Sequence, residues 1–375
     1  PGCNRNARRP AWFSLQESAT TMAKPTNSVI GIDLGKHAFK GVLLQRKGEQ
    51  RFVLTNYASR NVPAEFASAD ELAHQVKLLL KEMGGSAKNC AVAASEPHVL
   101  LRIIEQPTTP VKLLRSALRL NGLAVLNQET KDFVLDCAPV SAMTLTPVTP
   151  DGAPAGPAPA PGKTRYLVGG LLRPAVKQIS EAMTKTKRTT SFLQLAPVCS
   201  FNAFEFAHTE VFAREAFLLL DMGHEQSTVL IGNKSELVLI RSIGYGGRIF
   251  GEELTPDGAL DPAAARVLVQ EGDAGMAEVC RQSLQQLATE VRNSIGFFEG
   301  HSEESIDRIF VSGGLAKTEM ILQILSDELS LPCEVWDPLE NCEMALPAAK
   351  RQSLANEFFS LNVACGAALS HLQAA

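Results

Sequence analysis

One pattern occurs twice in this chain, and it restricts the available folds more than any other feature. The first copy is Val29-Ile30-Gly31-Ile32-Asp33-Leu34-Gly35, continuing to Lys40-Gly41-Val42-Leu43-Leu44. The second is Phe217-Leu218-Leu219-Leu220-Asp221-Met222-Gly223, continuing to Ser227-Thr228-Val229-Leu230-Ile231. Each copy is an apolar strand ending in Asp-x-Gly, a short polar turn, and a second apolar strand. Self-similarity at this separation implies two related halves.

The chemistry of the pattern is direct. A glycine after the Asp has no Cβ, so Gly35 and Gly223 let the turn backbone approach an anion closely, and the turn N–H groups form an anion nest. A carboxylate repels phosphate, but it holds the waters of a Mg²⁺ ion, which takes few carboxylates and several water and phosphate oxygens. Asp33 and Asp221 are therefore the candidate metal residues, acting through water. Lys36, His37 and Lys40 in the first hairpin, and Gln226, Ser227 and Thr228 in the second, are the candidate ligand contacts. Two such hairpins facing one another would clasp a triphosphate from both sides.

A third piece is Ile309-Phe310-Val311-Ser312-Gly313-Gly314-Leu315-Ala316, a strand that ends in a glycine pair and is expected to lead into a helix. Gly313, Gly314 and Leu315 would admit a nucleoside, and the helix N-terminus adds positive potential. Any one of these pieces alone is an ordinary turn. All three in this order are not.

The rest of the composition narrows the function. The 375 residues carry a formal charge of -4, which argues against a nucleic-acid binder. At this length the chain holds two or three domains. The eight cysteines contain no Cys-x-x-Cys pair, so neither a zinc site nor a redox motif is signalled, and their usage suits a reducing cytoplasm. The seven histidines show no ligand spacing. No run approaches the ~20 apolar residues that cross a bilayer. Residues 1–27 lack a continuous apolar core, so they do not read as a secretory signal; they begin with Pro1 and read as a disordered, non-native remnant outside the fold, ahead of a start near Met22. Gly162-Lys163-Thr164 imitates the end of a P-loop, but Pro157 stands where that motif needs glycine and a strand is expected after it. Lys185, Lys187 and Arg188 read as a solvated helix end. Glu205, Glu225 and Gln226 are the nearest candidates for a hydrolytic base, with a surface role the plainer reading of each, so no catalytic residue is assigned.

Strands are expected at Val29–Leu34, Ala38–Gln45, Arg51–Ala58, Asn89–Ala94 and Val99–Ile104, with a helix over Ala69–Met83 stopped by Gly84-Gly85. Residues 109–202 read as an inserted subdomain. It opens with a helix N-capped by Thr109, with Pro110 at its first position. Strands follow at Phe133–Val140 and Ala142–Pro147, then a Pro/Ala/Gly-rich disordered loop at 147–162, a strand at Arg165–Leu172 and a helix at Pro174–Lys187. The second half, 203–351, places strands at Ala216–Leu220, Ser227–Ile231, Leu237–Ile243, Ile306–Ser312 and Cys333–Trp336. Leu284, Leu287, Val291, Ile295 and Phe298 make one apolar stripe of a helix over Met276–Phe298. A last helix, about Ser353–Leu372 within the closing segment 352–375, is expected to return to the first half, 28–108.

On these motifs the sequence resembles the actin/Hsp70/sugar-kinase superfamily: an α/β, ribonuclease-H-like fold that is duplicated. Within it the sequence is most similar to the PilM family of type IV pilus assembly, with FtsA next. Ile240 to Gly247, with Gly246 and Gly247 at its end, continues the second hairpin as that family does. Glu290-Val291-Arg292-Asn293-Ser294-Ile295-Gly296-Phe297-Phe298 resembles its Glu-Ile-Arg helix and adds Arg292 to the candidate contacts. Cys333 to Leu339 and Asn362 to Leu369 resemble its closing strand and helix. The resemblance implies a subdomain of the FtsA/PilM type at 109–202, ATP and Mg²⁺ as ligands, slow or absent hydrolysis, and a cytoplasmic protein peripheral to the inner membrane. It also implies a partner, the N-terminal cytoplasmic tail of a PilN-like inner-membrane protein, held in a groove beside the insert. Nucleic acid and direct membrane insertion are not expected. One departure is plain: Lys36 and His37 stand where the family's first turn carries small serines. Two alternatives remain at this point, a small-molecule kinase of the superfamily and an FtsA-like filament protein, for which a C-terminal amphipathic membrane helix is expected.

Overall fold

The structure, a computed structural model, describes residues 27–48, 51–84, 87–96, 98–140, 162–255 and 261–374. Nearly all of the expected remnant at 1–27, the strand at Ala142–Pro147 and nearly all of the loop at 147–162 lie outside these residues. The chain divides into two compact units. One comprises Pro1–Glu96, Pro174–Ala207 and Asp337–Ala375; the other comprises Pro97–Arg173 and His208–Trp336.

The first unit is built on a six-stranded sheet. β1 (Ser28–Leu34), β2 (Ala38–Lys47) and β3 (Arg51–Asn61) form an antiparallel meander. β4 (Asn89–Ala94) lies parallel to β1. The order is completed by β8 (Thr189–Leu195), parallel to β4, and β14 (Cys342–Met344), parallel to β3. Helix α1 (Ala69–Met83) covers one face; Ser68 accepts from the Glu71 N–H at its start, and Gly84 ends it at φ 60°. On the other face lie α4 (Ala196–Ala207) and α11 (Asn362–Ala374). Two glycines show how closely these layers meet. A Cβ on Gly31 would stand 2.0 Å from the Ala364 carbonyl of α11, and one on Gly41 would meet Met83 of α1 at 3.1 Å. β1 and β2 therefore pack through backbone on opposite faces. α3 (Arg173–Thr184) and α10 (Ala348–Leu354) complete the helices.

The second unit repeats the scheme. β9 (Ala216–Met222), β10 (Ser227–Asn233) and β11 (Glu236–Ile243) form the antiparallel meander. β12 (Ile309–Gly313) is parallel to β9, and β13 (Cys333–Val335) is parallel to β12. The order β11-β10-β9-β12-β13 thus matches β3-β2-β1-β4-β8 strand for strand, with the same senses. The long helix α8 (Ala277–Glu299) buries Leu284, Leu287, Val291, Ile295 and Phe298, the stripe legible in its sequence. It is joined by α5 (Thr209–Arg214), α6 (Gly247–Glu253), α7 (Pro262–Gln270) and α9 (Glu319–Leu329).

A separate antiparallel sheet in this unit holds β5 (Leu100–Pro107), β7 (Lys163–Leu172) and β6 (Phe133–Pro139), in that order. Helix α2 (Val111–Leu126) packs on it through Leu114, Leu118 and Leu126. The Arg165 guanidinium ties β7 to β11, donating to the Val238 carbonyl (3.2 Å) and facing Glu236 (3.4 Å). Lys163 begins a strand, as its rejection as a P-loop lysine requires.

Three local expectations are corrected. Pro110, not Thr109, caps α2: Thr109 turns back, its hydroxyl donating to the Pro107 carbonyl and its N–H to the Tyr166 hydroxyl. Gly313-Gly314 leads first into a 3-10 turn, Gly314–Lys317, and α9 starts only at Glu319. The last helix is not continuous: α10 ends at Leu354, a 3-10 turn follows at Phe358–Ser360, and α11 begins at Asn362. There the Asn362 amide donates to Ser200 Oγ on α4 (3.0 Å), so a tertiary contact sets the start.

Candidate functional site

Each unit carries one of the repeated hairpins. In the first, β1 delivers Asp33 to the end of the strand, 3% exposed. Charge at that depth requires partners. Ser95, one residue past β4, donates its hydroxyl to Asp33 Oδ1 at 2.9 Å. Lys40, the cross-strand neighbour of Asp33, brings its ammonium to 3.6 Å from Oδ2. Lys36 in the turn faces Glu96 at 2.7 Å, so its charge is compensated locally. The His37 carbonyl accepts from the Val62 N–H, pinning the turn to the strand beyond. A Cβ on Gly35 would stand 2.6 Å from the Ala38 carbonyl, so the turn closes only around glycine. Beneath it the Cys199 thiol is pushed well above its usual range, chiefly by burial and further by Asp33.

In the second hairpin the same parts recur with different detail. Asp221 is half-buried, and Ser312 Oγ donates to its Oδ1 at 2.8 Å. Ser312 sits on β12 in register with Asp221, whereas in the first unit Ala93 holds that register and the hydroxyl comes from Ser95, two residues later. Opposite Asp221 stands the neutral Thr228 where Asp33 has Lys40. A Cβ on Gly223 would meet the Gln226 carbonyl at 2.6 Å. Gly313 has φ 95° and ψ 176°, and an added Cβ would stand 2.2 Å from the Met222 carbonyl. Gly314 meets nothing within 4 Å, so the surface beside it is open. Leu315 is half-buried in the following turn.

A second loop is stitched to this hairpin. The Gly247 N–H donates to the Gly223 carbonyl and the Arg248 N–H to the His224 carbonyl, each at 2.9 Å. A Cβ on Gly246 would stand 2.5 Å from His224 O. Ser227 donates to the Tyr245 carbonyl (2.7 Å), and the Tyr245 hydroxyl meets Ser283 Oγ (2.6 Å), which donates to Glu253 (2.6 Å). Burial raises the Tyr245 phenol, so it stays protonated. The Arg266 guanidinium donates to the Gly247 carbonyl from α7. Glu225, weighed as a base, is engaged by Arg248 at 2.9 Å.

The second unit thus gathers Asp221, Gly223, Gln226, Ser227, Thr228, Gly246, Gly247, Gly313, Gly314 and Leu315 around one hairpin end. The first gathers Asp33, Gly35, Lys36, His37 and Lys40. Arg292 is held elsewhere, donating to the Glu328 carbonyl near the end of α9. Sequence reading missed Ser95, Ser312 and Arg266. Both serines stand at the carboxyl end of the strand parallel to the Asp strand, so the strand order identifies them, but no motif does. Among the described residues no group of three or more His, Cys, Asp or Glu is placed to hold a metal ion directly. Among them, too, no helix is long and apolar enough to cross a membrane.

Comparison with known proteins follows the same lines. Residues 203–372 match the family described as type IV pilus assembly protein PilM. A solved PilM–PilN type IV pilus biogenesis complex is similar at TM-score 0.76 and 24% identity, covering 92% of this chain and 98% of that one. The ethanolamine utilization protein EutJ from Carboxydothermus hydrogenoformans (TM-score 0.53, 12% identity, 92% and 90% covered) shares the fold more distantly. So does a diol dehydratase-reactivating factor (0.54, 8%, 92% and 99%). No curated protein sequence matches the chain. Residues 203–372 thus carry the pattern of the PilM pilus-assembly family, and nearly the whole chain shares the fold of the solved PilM–PilN complex.

Proposed function

We propose that this chain is a nucleotide-binding adaptor of type IV pilus assembly that docks the N-terminal cytoplasmic tail of a PilN-like inner-membrane protein. The observation that carries the reading is the likeness to a PilM–PilN complex, which spans 98% of that chain. The duplicated Asp hairpins supply the ligand chemistry. Mg-ATP is the proposed ligand. The turns at Gly35 and Gly223 offer backbone N–H groups to phosphate, and the glycine pair at 313–314 leaves open surface for the nucleoside. Asp221, opposite neutral Thr228, is the stronger candidate for the metal's waters; Asp33 has its charge offset by Lys40. The docking groove is proposed beside the insert at 109–202, and the protein acts at the cytoplasmic face of the inner membrane through its partner. Nucleotide and tail influence each other to the extent that the tail prefers one nucleotide state.

Titration calorimetry with Mg-ATP, and with a synthetic peptide of the partner's tail, tests this. Both ligands should bind, and Asp33→Ala with Asp221→Ala should weaken Mg-ATP and alter tail affinity. Absence of Mg-ATP binding, with the double variant matching the parent in tail binding, would overturn the nucleotide role.

A further inference from the structure

α2 combines two properties that seldom occur together on a surface with no role. Its inner side buries Leu114, Leu118 and Leu126. Its outer side exposes Leu113 (63%) and Leu120 (88%), and Leu123 beyond them (51%). Leu113, Ala117 and Leu120 lie four and three residues apart, one line along the helix. A surface helix normally turns charge to water there. The helix departs from helical geometry at Asn121 (φ -143°, ψ 50°), just past the most exposed leucine.

The charge around this line has one sign. From Gln106 to Gln128 there is no Asp or Glu, while Lys112, Arg115 and Arg119 are all basic. Arg115 is consumed inside the unit by Asp136. Lys112 and Arg119, seven residues apart on one flank, make no ion pair among the described residues and are exposed. Residues 97–173 hold eight Lys/Arg against five Asp/Glu in a chain whose net charge is -4. The positive charge is therefore concentrated where the leucines are exposed.

We propose that this face of α2 rests on the surface of an anionic lipid bilayer. Leucines on the outward line enter the headgroup–acyl boundary while flanking cations meet lipid phosphates, the division of labour of an interfacial helix. The core packing of α2 limits the contact to side-chain depth, so the helix lies on the membrane without crossing it. The contact goes beyond the proposed tail docking and does not depend on it. It would add a second, lipid-selective attachment, and two weak attachments in one molecule reinforce each other.

Vesicle flotation with the whole chain tests the contact. The protein is expected to float with vesicles containing phosphatidylglycerol and not with phosphatidylcholine alone, and to be released by salt, which screens exposed charge. At about 1 kcal/mol per basic residue near an anionic surface, Lys112→Gln with Arg119→Gln lowers vesicle affinity roughly 30-fold. Leu113→Ser with Leu120→Ser abolishes flotation. Both variants change exposed side chains, so they keep the parent's thermal midpoint and its affinities for Mg-ATP and for the tail peptide. Absence of flotation, equal flotation on both lipids, or full binding by either variant overturns the proposal. So does a fall in sedimenting mass of the leucine variant without lipid, which would make the face a contact between copies of the chain. An acidic peptide that binds the parent while vesicles do not would also overturn it.

Discussion

Gly313 is the position at which one methyl group should do the most damage to the second hairpin. Its φ of 95° with ψ near 180° belongs to a region that is open essentially to glycine alone. Holding alanine there costs about 1–3 kcal/mol. Its Cβ would also stand 2.2 Å from the Met222 carbonyl, against 3.4 Å for an ordinary contact, so β12 would have to move about 1.2 Å away from β9. Overpacking of this kind adds about 1–3 kcal/mol. The same movement would stretch the 2.8 Å bond from Ser312 to Asp221 beyond hydrogen-bond length. Gly313→Ala should therefore destabilise the second unit by about 2–6 kcal/mol, a large part of the ~5–15 kcal/mol that holds a typical domain. With a urea slope of about 1–3 kcal/mol/M, the midpoint should fall by about 0.7 M or more. Gly314→Ala is the internal control, since its Cβ meets nothing within 4 Å and its φ is not positive. The two variants should be compared by circular dichroism in urea. If their midpoints coincide, the close approach of β12 to β9 does not govern this site.

Other consequences are open to measurement. Ser95→Ala and Ser312→Ala each remove a hydroxyl donor from a carboxylate, a bond worth about 1.5–3 kcal/mol. The loss should be larger for Ser95, because Asp33 is the more deeply buried acid, and equal urea midpoints for parent and both variants would refute the pairing. Burial lowers the His371 pKa, so the folded state resists a proton that the unfolded chain accepts below about pH 6.5. Stability should then be unaffected above that pH and fall as the pH drops toward the folded value. His371→Gln should flatten the fall below about pH 6.5, and parallel curves would argue against it. Burial raises the thiols of Cys90, Cys137, Cys280, Cys333 and Cys342 to about 11–12 and holds those of Cys199 and Cys365 well above their usual range. An aromatic disulfide reagent at pH 8 should leave the six buried thiols unmodified in the folded protein and label them in denaturant. Rapid labelling of any except the half-buried Cys333, resolved by peptide mass, would contradict this burial.

Much of this protein was readable before any coordinates. The Asp-x-Gly hairpins are legible as strands because each is a pair of short apolar runs joined by a polar turn, and in the first copy Gly31 and Gly41 mark where helices cross close to the sheet. The α8 stripe was readable for the same reason: one face buried, one period. Short elements were not. β8 and β14 have little pattern of their own and exist because a neighbouring strand offers an unpaired edge, to β8 from β4 and to β14 from β3. The break between α10 and α11 follows from Asn362 finding Ser200, a residue 162 positions away.

The candidate site divides along the same line. Local sequence determined which residues end the strands and turn the chain: Asp33, Gly35, Asp221, Gly223, Gly313. Backbone sterics and strand periodicity act over a few residues, so a few residues suffice to see them. Tertiary structure alone decided what surrounds those groups. It brought Ser95 and Ser312 to the two carboxylates, set Lys40 against Asp33 and Thr228 against Asp221, and compensated Lys36 with Glu96. It also turned the leucines of α2 outward. Hydrogen bonds, ion pairs and exposure depend on which distant segment the sheet order places alongside, and no local pattern carries that order.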